Sequence, residues 1–427
     1  MRLRPLLFLL ILFLARPLEA RIYLDVYAIG FRRVVVAAPP FRGPQERFGT
    51  DFAELLNKDL ELTGFFVTTP FSLMDRRMLE EPEEKEHIRF EDWSSLGIEL
   101  LSKARFREEG QDVIVEAFLY DVTEGSLIFA KRYRTKKDLW RSIVHRLSDD
   151  IVLAVTGERG ITNLKILFVA EEGSSKEVYL SDIDGYMIKK LTSFGSITLS
   201  PCLSPDGSLL AYTSYKKGRP GLYVMDLRKR SDVYEDTTEG IKVPHLFLSN
   251  RTLVYSGAVG RSSGIFTLDL ERRITTRLVG GDGIYTSASF TRDGKKMVFV
   301  SDMHGSPQVF LKNLENGEIR RITFSGSYNT SPAISPKGGL IAFVSKLEGN
   351  LEICLTDEDG KYMKVLTDGG MNDSPQFSPC GRYVIYSGRK AGASKIHLSL
   401  ANGEMRRVLK LTGRGESQPR FFIGKED

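Results

Sequence analysis

The sequence predicts an α+β N-terminal domain followed by an all-β six-bladed β-propeller. Three observations support this fold class: an aromatic position recurs every 43 or 44 residues, a second position keeps the same spacing, and turn residues precede the first position at a fixed distance. The region before these repeats has helix and strand patterns without that spacing. A period of about 40 to 45 residues with several strands in each copy is typical of propeller blades.

The repeated positions form three columns. The first lies in short apolar runs that favour β-strands, and its members are Phe168, Tyr212, Tyr255, Phe299, Phe343 and Tyr386. The second lies 11 residues later and consists of Tyr179, Tyr223, Phe266, Phe310, Cys354 and His397. The third lies five residues before the first and consists of Gly207, Asn250, Gly294, Gly338 and Gly381. Gly and Asn enter the left-handed backbone region at low cost, so the third column predicts hairpin turns.

The two ends of the repeat region are expected to complete one blade. Residues 418–424 resemble an inner strand, whereas residues 164–170 resemble a second strand that has no inner strand before it. Pairing of these two segments would close the ring and remove its open sheet edges. The predicted propeller spans residues 161–427.

The first twenty residues are predicted to be a signal peptide. Arg2 and Arg4 precede an apolar stretch at 6–15 that is too short for a permanent membrane span, and Leu18–Ala20 offers a cleavage site. An uncleaved anchor is the alternative. Cleavage would leave a mature chain that begins at Arg21.

Residues 21–160 are predicted to form the N-terminal domain. The first predicted helix, 45–63, has apolar residues at helical spacing and ends at Gly64. The second, 136–156, is expected to place four apolar residues on one face: Leu139, Ile143, Leu147 and Ile151. Strands are predicted at 21–26, 34–38, 65–69, 98–107, 111–121 and 126–134.

Charge and motifs argue against nucleic-acid binding and catalysis. The net charge of +5 is too small a surplus to indicate a nucleic-acid partner. The segment 260–264 fits the Gly-x-Ser-x-Gly pattern, but predicted strands flank it on both sides, whereas a nucleophile elbow needs a helix after the serine. Only His245 among the histidines lies on a predicted inner strand, so no catalytic cluster is expected in the channel.

The sequence predicts neither a metal site nor a cofactor. The acidic segments 182–185 and 357–360 resemble fragments of calcium loops, but hairpin turns explain both. The five histidines lack the spacing of metal ligands and are expected to pack in the fold; they are His87, His145, His245, His304 and His397.

The order of these features resembles the TolB family. The resemblance rests on the mature start Arg21–Asp25, the segment Trp93–Ile98 and blade lead-ins such as Leu203–Gly207, and it covers essentially the whole chain after residue 20. It implies a periplasmic, non-enzymatic scaffold of the Tol-Pal system that supports outer-membrane integrity and constriction at cell division. The implied partners are the peptidoglycan-associated lipoprotein Pal, TolA and other outer-membrane proteins, through which the protein would be peripheral to the membrane.

Partner-binding residues are predicted at one mouth of the channel, because the loops that lead into the inner strands of a propeller surround it. Tyr and Met side chains would supply contact area there, and Asn and Glu would supply polar pairing. The predicted Pal-binding residues are Tyr285, Thr286, Tyr328, Asn329, Thr330, Met371, Asn372 and Glu416. Simply solvated loops are the alternative interpretation.

The start of the mature chain has two interpretations. It is either an edge strand of the first domain or, as the resemblance implies, a segment that binds TolA by strand addition. The residues concerned are Arg21, Ile22, Tyr23, Leu24 and Asp25. For the chain as a whole, the alternative function is a propeller accessory domain or an enzyme of the peptidase or carbohydrate type.

Overall fold

The computed structural model describes residues 32–259 and 262–424. The predicted signal peptide, the strand at 21–26 and the predicted TolA-binding residues lie outside these ranges. Across the two described ranges, none of the helices combines the length and the apolar character that a bilayer crossing requires.

The N-terminal domain is a five-stranded sheet against which two long helices pack. Its strands are β1 Val34–Ala37, β2 Phe66–Thr68, β3 Leu100–Glu109, β4 Asp112–Asp121 and β5 Ser126–Lys136. Its helices are α1 Glu46–Thr63, α2 Arg76–Glu80, α3 Phe90–Ser95 and α4 Arg141–Thr156, with 3-10 turns at Phe71–Leu73, Lys85–His87 and Lys137–Leu139. The strand order is β2-β1-β3-β4-β5. Strand β1 is parallel to both of its neighbours, and the remaining pairs are antiparallel.

Helix α1 has the amphipathic pattern that its sequence predicts. Phe52, Leu56 and Leu60 recur at helical spacing and are fully buried in the core. The helix ends at Gly64, whose φ of 79° lies in the left-handed region that glycine enters without a steric penalty.

Helix α4 is shorter than the sequence predicts. It begins at Arg141 rather than at residue 136, because Lys137–Leu139 forms a 3-10 turn. Ile143, Leu147 and Ile151 are buried as expected, but Leu139 lies in the 3-10 turn and is 37% exposed. The prediction that Leu139 shares their face is therefore wrong, since a 3-10 turn has three residues per turn and does not continue the α-helical stripe.

The rest of the described chain is a β-propeller of antiparallel sheets around a channel. Four sheets have four strands each, and a fifth has eight. The strands are β6 Lys165–Glu172, β7 Ser175–Asp182, β8 Lys189–Lys190, β9 Thr198–Leu203, β10 Leu209–Ser214, β11 Gly221–Asp226, β12 Ser231–Asp236, β13 Lys242–Phe247, β14 Thr252–Val259, β15 Ser262–Asp269, β16 Ile274–Asp282, β17 Tyr285–Phe290, β18 Lys296–Ser301, β19 Gln308–Asn313, β20 Ile319–Arg321, β21 Asn329–Ile334, β22 Leu340–Leu347, β23 Asn350–Asp357, β24 Lys364–Val365, β25 Met371–Phe377, β26 Tyr383–Arg389, β27 Lys395–Leu400, β28 Arg406–Val408 and β29 Glu416–Phe422.

The first two repeated columns are cross-strand neighbours throughout the propeller. Each member of the first column lies directly opposite a member of the second on the next strand of its sheet, as in the pair Phe168↔Tyr179. The other pairs are Tyr212↔Tyr223, Tyr255↔Phe266, Phe299↔Phe310, Phe343↔Cys354 and Tyr386↔His397. The constant interval of 11 residues thus reflects one hairpin geometry repeated around the ring, with side-chain pairs that stabilise each sheet.

The third column marks hairpin turns throughout, but one of its members is not left-handed. Its glycines have φ between 70° and 77°, in the left-handed region. Asn250 is not among the residues with positive φ, so the prediction of a left-handed residue there is wrong. Its side-chain Oδ1 instead accepts a hydrogen bond from the backbone N–H of Asp206 at 3.0 Å, which links neighbouring hairpins.

One sheet contains strands from both ends of the repeat region. Strand β29 pairs antiparallel with β6, from Glu416↔Ala170 to Phe422↔Lys165, and the strand order of this sheet is β29-β6-β7-β8. The eight-stranded sheet spans β21 to β28, and its two halves are joined by one parallel pair, Leu351↔Met371.

The N-terminal domain shares a continuous hydrophobic core with the propeller. Buried residues of α1 and α4 cluster with side chains from β6, β26 and β27. Polar contacts accompany this packing: the Tyr383 hydroxyl donates to the carbonyl of Thr63 at 2.8 Å, and the Arg382 guanidinium donates to Thr156 Oγ1 at 2.6 Å and to the Thr156 carbonyl at 2.9 Å.

Candidate functional site

Exposed apolar side chains occupy one repeated position around the channel mouth, where each inner strand begins. We call these residues the apolar ring: Ile197, Ile241, Ile284, Tyr328 and Met371, with exposed fractions of 39%, 55%, 45%, 41% and 47%. The equivalent position before β29 is Gly415, where a Cβ atom would lie 2.2 Å from Oε2 of Glu171. A larger residue there would displace the flexible, half-exposed Glu171 side chain.

The apolar ring exposes large aliphatic and aromatic groups on a rigid support. Single exposed hydrophobic residues are ordinary, but a set that encircles one opening presents a grouped apolar surface of the kind that marks protein interaction sites. The neighbouring sheets hold its members in fixed relative positions, so a partner would bind without ordering these loops first.

The residue after each ring position is mostly buried and polar, and it supports the loop. Asn329 Nδ2 donates to Gln308 Oε1 at 2.8 Å and to the carbonyl of Ser325 at 2.9 Å. Asn372 Nδ2 donates to the carbonyls of Leu351 at 2.8 Å and Gly369 at 3.1 Å. These bonds fix the backbone on which the exposed ring residue stands.

Glu416 has the same supporting role at the start of β29. Its Oε1 accepts hydrogen bonds from Thr412 Oγ1 at 2.8 Å and from the backbone N–H of Gly413 at 3.1 Å. Glu416 and Asn329 are fully buried, and Asn372 is nearly so. In this conformation these three side chains brace the mouth from within rather than face a partner.

The other predicted residues lie at or near the surface of the mouth. Tyr328 and Met371 belong to the apolar ring. Tyr285, Thr286 and Thr330 are half-buried. The structure therefore brings the predicted residues to one mouth but divides them into an outer set and a buried supporting set; whether the outer set binds a partner stays a prediction.

An open cleft of about 690 Å³ lies beside the ring. Ile241 and Ile284 line it together with Tyr285 and Thr286. The Tyr285 ring stacks on Phe299 with centroids 6.2 Å apart, and Thr286 Oγ1 lies 3.1 Å from Ser256 Oγ. The cleft offers an apolar recess in which a partner side chain could be buried.

The channel below the mouth is narrow. A cavity of about 160 Å³ is lined by residues of β9, β13, β17, β21, β25 and β29. The pairing register of the inner strands shifts at a β-bulge. At this bulge, five residues that line the cavity have a positive φ: Ser200, Ser287, Ser331, Ser374 and Gln418. Since non-glycine residues adopt this conformation at a cost, the repeated bulge is a built feature of the inner strands.

Three potentially charged residues line this channel: His245, Asp373 and Arg420. Oδ1 of Asp373 accepts a hydrogen bond from Ser331 Oγ at 2.8 Å. Burial, with the Arg420 guanidinium as a second cause, lowers the pKa of His245 to about 3. Burial also lowers the pKa of Arg420. His245 is therefore neutral near pH 7, and its Nε2 has no hydrogen-bond partner within the described chain.

The Gly-x-Ser-x-Gly segment does not form a nucleophile elbow in its described part. Gly260 and Arg261 lie outside the described residues, while Ser262–Gly264 open strand β15. Ser262 Oγ donates to the carbonyl of Gly281 at 3.1 Å, which ties it to the neighbouring strand. The serine is followed by a strand rather than by the helix that the elbow requires.

Three members of the apolar ring are absent from the predicted Pal-binding residues: Ile197, Ile241 and Ile284. The sequence signal that relates them to Tyr328 and Met371 is the spacing of 43 or 44 residues. A prediction from chemical type favours aromatic and amide side chains over isoleucine.

Both the N-terminal domain and the propeller match known protein families. Residues 152–420 match the family described as TolB beta propeller domain, and residues 22–128 match the TolB amino-terminal domain. The chain belongs to the TolB family. This confirms the family predicted from the sequence, and with the structure it confirms an N-terminal domain of helices and strands followed by a β-propeller. It places the chain among non-enzymatic propeller proteins, and no catalytic family is indicated.

Relatives and a solved structure agree with this assignment. A Protein TolB homolog of Chlorobium luteolum is 30% identical over 65% of this chain and 63% of its own length. A Tol-Pal system protein TolB of Geobacter sulfurreducens is 36% identical over 44% of this chain and 43% of its own length. The crystal structure of TolB from Acinetobacter baumannii covers 91% of this chain and 96% of its own, with 25% identity and a TM-score of 0.81. The chain thus spans 43% to 63% of the length of these two curated TolB relatives.

Proposed function

We propose that this TolB-family protein is a periplasmic adaptor of the Tol-Pal system whose propeller mouth binds the lipoprotein Pal. The observation that carries the proposal is the apolar ring around the channel mouth, an exposed apolar surface held by buried polar residues. Tyr285, Thr286 and Thr330 extend this surface, and Tyr328 and Met371 belong to it. The name of the Geobacter relative supports a place in the Tol-Pal system. Export to the periplasm, outer-membrane integrity and constriction at division are parts of the same proposal and follow from the family resemblance.

The proposal includes the architecture that presents this surface. We infer that the eight-stranded sheet consists of two blades, because one parallel pair alone joins its halves, and that the propeller has six blades. We further propose a signal peptide at 1–20, an N-terminal domain at 21–160 and a propeller at 161–427. The pairing of β29 with β6 supports a ring closed by both ends of the repeat region.

A calorimetric titration with purified Pal tests the binding surface. Replacing both Ile241 and Ile284 by Ala removes apolar area from the ring and the cleft, and buried aliphatic contacts are worth about 1–3 kcal/mol each. We expect the double variant to bind Pal at least about tenfold more weakly.

The matched control changes two apolar residues that are equally exposed on outer strands. Ile274 is 56% exposed on β16 and Val233 is 41% exposed on β12. The double substitution of these residues by Ala should leave the affinity for Pal unchanged. Equal affinities of both double variants and the unaltered protein would refute the assignment of the mouth.

The segment Arg21–Asp25 is proposed to bind TolA by strand addition. Removing residues 21–30 from the mature protein should abolish capture of TolA in a pull-down while the melting temperature stays the same. A large fall in the melting temperature would instead favour the edge-strand interpretation.

A further inference from the structure

We propose that this protein binds one divalent transition-metal ion of the Zn²⁺ type where the N-terminal domain meets the propeller. Three side chains would hold it: His145 on α4, and Asp182 and Asp184 from the end of β7 and the hairpin that follows it. One donor atom of each lies within 4.8 Å of the donors of the other two. None of these residues belongs to the channel mouth, so the inference is independent of the proposed Pal surface.

His145 is the decisive member of this cluster. Its side chain is 5% exposed, and its Nε2 is buried with no hydrogen-bond partner within the described chain. A buried polar atom without a partner is costly, and native proteins rarely retain one without a reason. The imidazole shares this donor cluster with the carboxylates of Asp182 and Asp184, and the unpartnered Nε2 is the ring nitrogen that remains available to a ligand held by all three.

The other ring nitrogen of His145 is already positioned. Its Nδ1 lies 2.7 Å from Oδ2 of Asp59, a residue of α1 that is 1% exposed. A carboxylate that accepts the Nδ1–H fixes the tautomer in which Nε2 carries the free lone pair, and it makes the imidazole a better ligand. Asp59, His145 and the proposed ion would form the carboxylate–histidine–metal arrangement found in many zinc sites.

The hairpin holds its two carboxylates in place. Ile183 between them is fully buried in the core shared by the two domains. Gly185 has φ of 80°, and a Cβ atom there would lie 2.0 Å from the carbonyl oxygen of Lys410, so the turn lies directly against the chain before β29. The backbone N–H of Gly185 donates to the Asp182 carbonyl at 3.0 Å.

The donor atoms lie near one another, and a bound ion would draw them closer. Zn²⁺ binds nitrogen and oxygen ligands at about 2.0–2.2 Å, so two ligands of a tetrahedral ion lie roughly 3.4 Å apart. The three donors lie within 4.8 Å of one another, and rotation of the Asp182 and Asp184 side chains on binding would bring the carboxylates nearer to His145. One imidazole with two carboxylates favours a transition metal over Ca²⁺, which takes six to eight oxygen ligands.

The two hairpin carboxylates already have partners, which would remain as outer contacts of a bound ion. Asp182 pairs with Lys165 at 2.7 Å, and Asp184 pairs with Arg141. The backbone N–H of Tyr186 also donates to Oδ1 of Asp184 at 3.0 Å. A carboxylate offers about four lone-pair sites, so both residues keep lone pairs for a metal ion.

Metal titration of the untagged full-length mature protein tests this site. After treatment with a chelator, we expect one equivalent of Zn²⁺ to bind in calorimetry and to raise the melting temperature. Co²⁺ should give the visible absorption bands of a low-coordinate nitrogen and oxygen site, and Ca²⁺ should not compete with either metal. Less than about 0.2 equivalents of bound Zn²⁺ would overturn the proposal.

The variants Asp182→Asn and Asp184→Asn keep the shape of the hairpin and should each weaken Zn²⁺ binding at least about tenfold. The matched control is Asp359→Asn, which alters the equivalent acidic turn of another sheet, where no histidine faces the carboxylates. His87→Ala, which removes an exposed histidine, is the second control. Binding that persists in both hairpin variants, or that falls equally in the controls, would place the metal elsewhere and overturn the site.

Discussion

The rings of Tyr386 and His397 stack across neighbouring strands, with centroids 5.1 Å apart and planes inclined by 9°. His397 occupies the position that Tyr179, Tyr223 and Phe310 fill in other sheets, where each ring stacks on its partner of the first column. The histidine therefore serves as an aromatic packing group. Burial lowers its pKa, in keeping with a neutral ring.

Replacing His397 should test this packing role. We expect His397→Ala to lower the free energy of unfolding by about 1–3 kcal/mol, because a half-buried ring and its stacking contact with Tyr386 are lost. His397→Phe should stay within about 1 kcal/mol of the unaltered protein. Chemical denaturation measures both, and a large loss in the Phe variant alone would show that the imidazole has a polar role.

His245 should make stability depend on pH. Its pKa is about 3 in the folded protein and about 6.5 in the unfolded chain, so below pH 6.5 the unfolded state binds a proton that the folded state does not. Above about pH 6.5 His245 does not change the free energy of unfolding. As the pH falls from about 6.5 towards 3, His245 lowers the free energy of unfolding by roughly 1.4 kcal/mol per pH unit.

The variant His245→Ala should reduce this loss of stability at low pH. Alanine is the residue at the equivalent position of β17, Ala288. Urea denaturation at several pH values measures the difference between the variant and the unaltered protein, so that other titrating groups cancel. The same pH dependence in both proteins would show that His245 is accessible to protons in the folded channel.

At the domain interface, the buried Arg382 should contribute more to the stability of the fold than the exposed Arg407. It is 5% exposed and donates two hydrogen bonds to Thr156 at the end of α4. We expect Arg382→Ala to lower the free energy of unfolding by about 2–4 kcal/mol. Arg407→Ala removes an exposed guanidinium that donates to the carbonyl of Glu61, and it should cost less than about 1 kcal/mol. Equal effects in thermal denaturation would contradict a buried polar anchor at Arg382.

Repetition made the propeller predictable from sequence. Residues 11 positions apart in the first two columns are cross-strand pairs in the structure, such as Tyr386↔His397, because one hairpin geometry recurs. Local conformation was harder to predict, as the 3-10 turn at Leu139 and the side-chain contact of Asn250 show.

The candidate sites were only partly predictable because burial depends on tertiary contacts. Asn329 and Glu416 have the composition of surface loops, yet each is enclosed by neighbouring loops and fully buried. The exposure of Ile284 follows from its place on the ring rather than from its residue type, so residue type alone does not predict it as a site residue. His145 meets Asp184 only because two domains pack together, and no local spacing in the sequence connects them.

Hydrogen exchange with and without purified Pal tests the central claim most directly, because it reports which backbone amides a partner covers. We predict slower exchange in the segments that carry Ile241, Ile284, Tyr328 and Met371, with no change on the outer strands β12 and β16. Slower exchange confined to the outer strands or to the N-terminal domain, or no change at saturating Pal, would contradict a Pal-binding surface at the channel mouth.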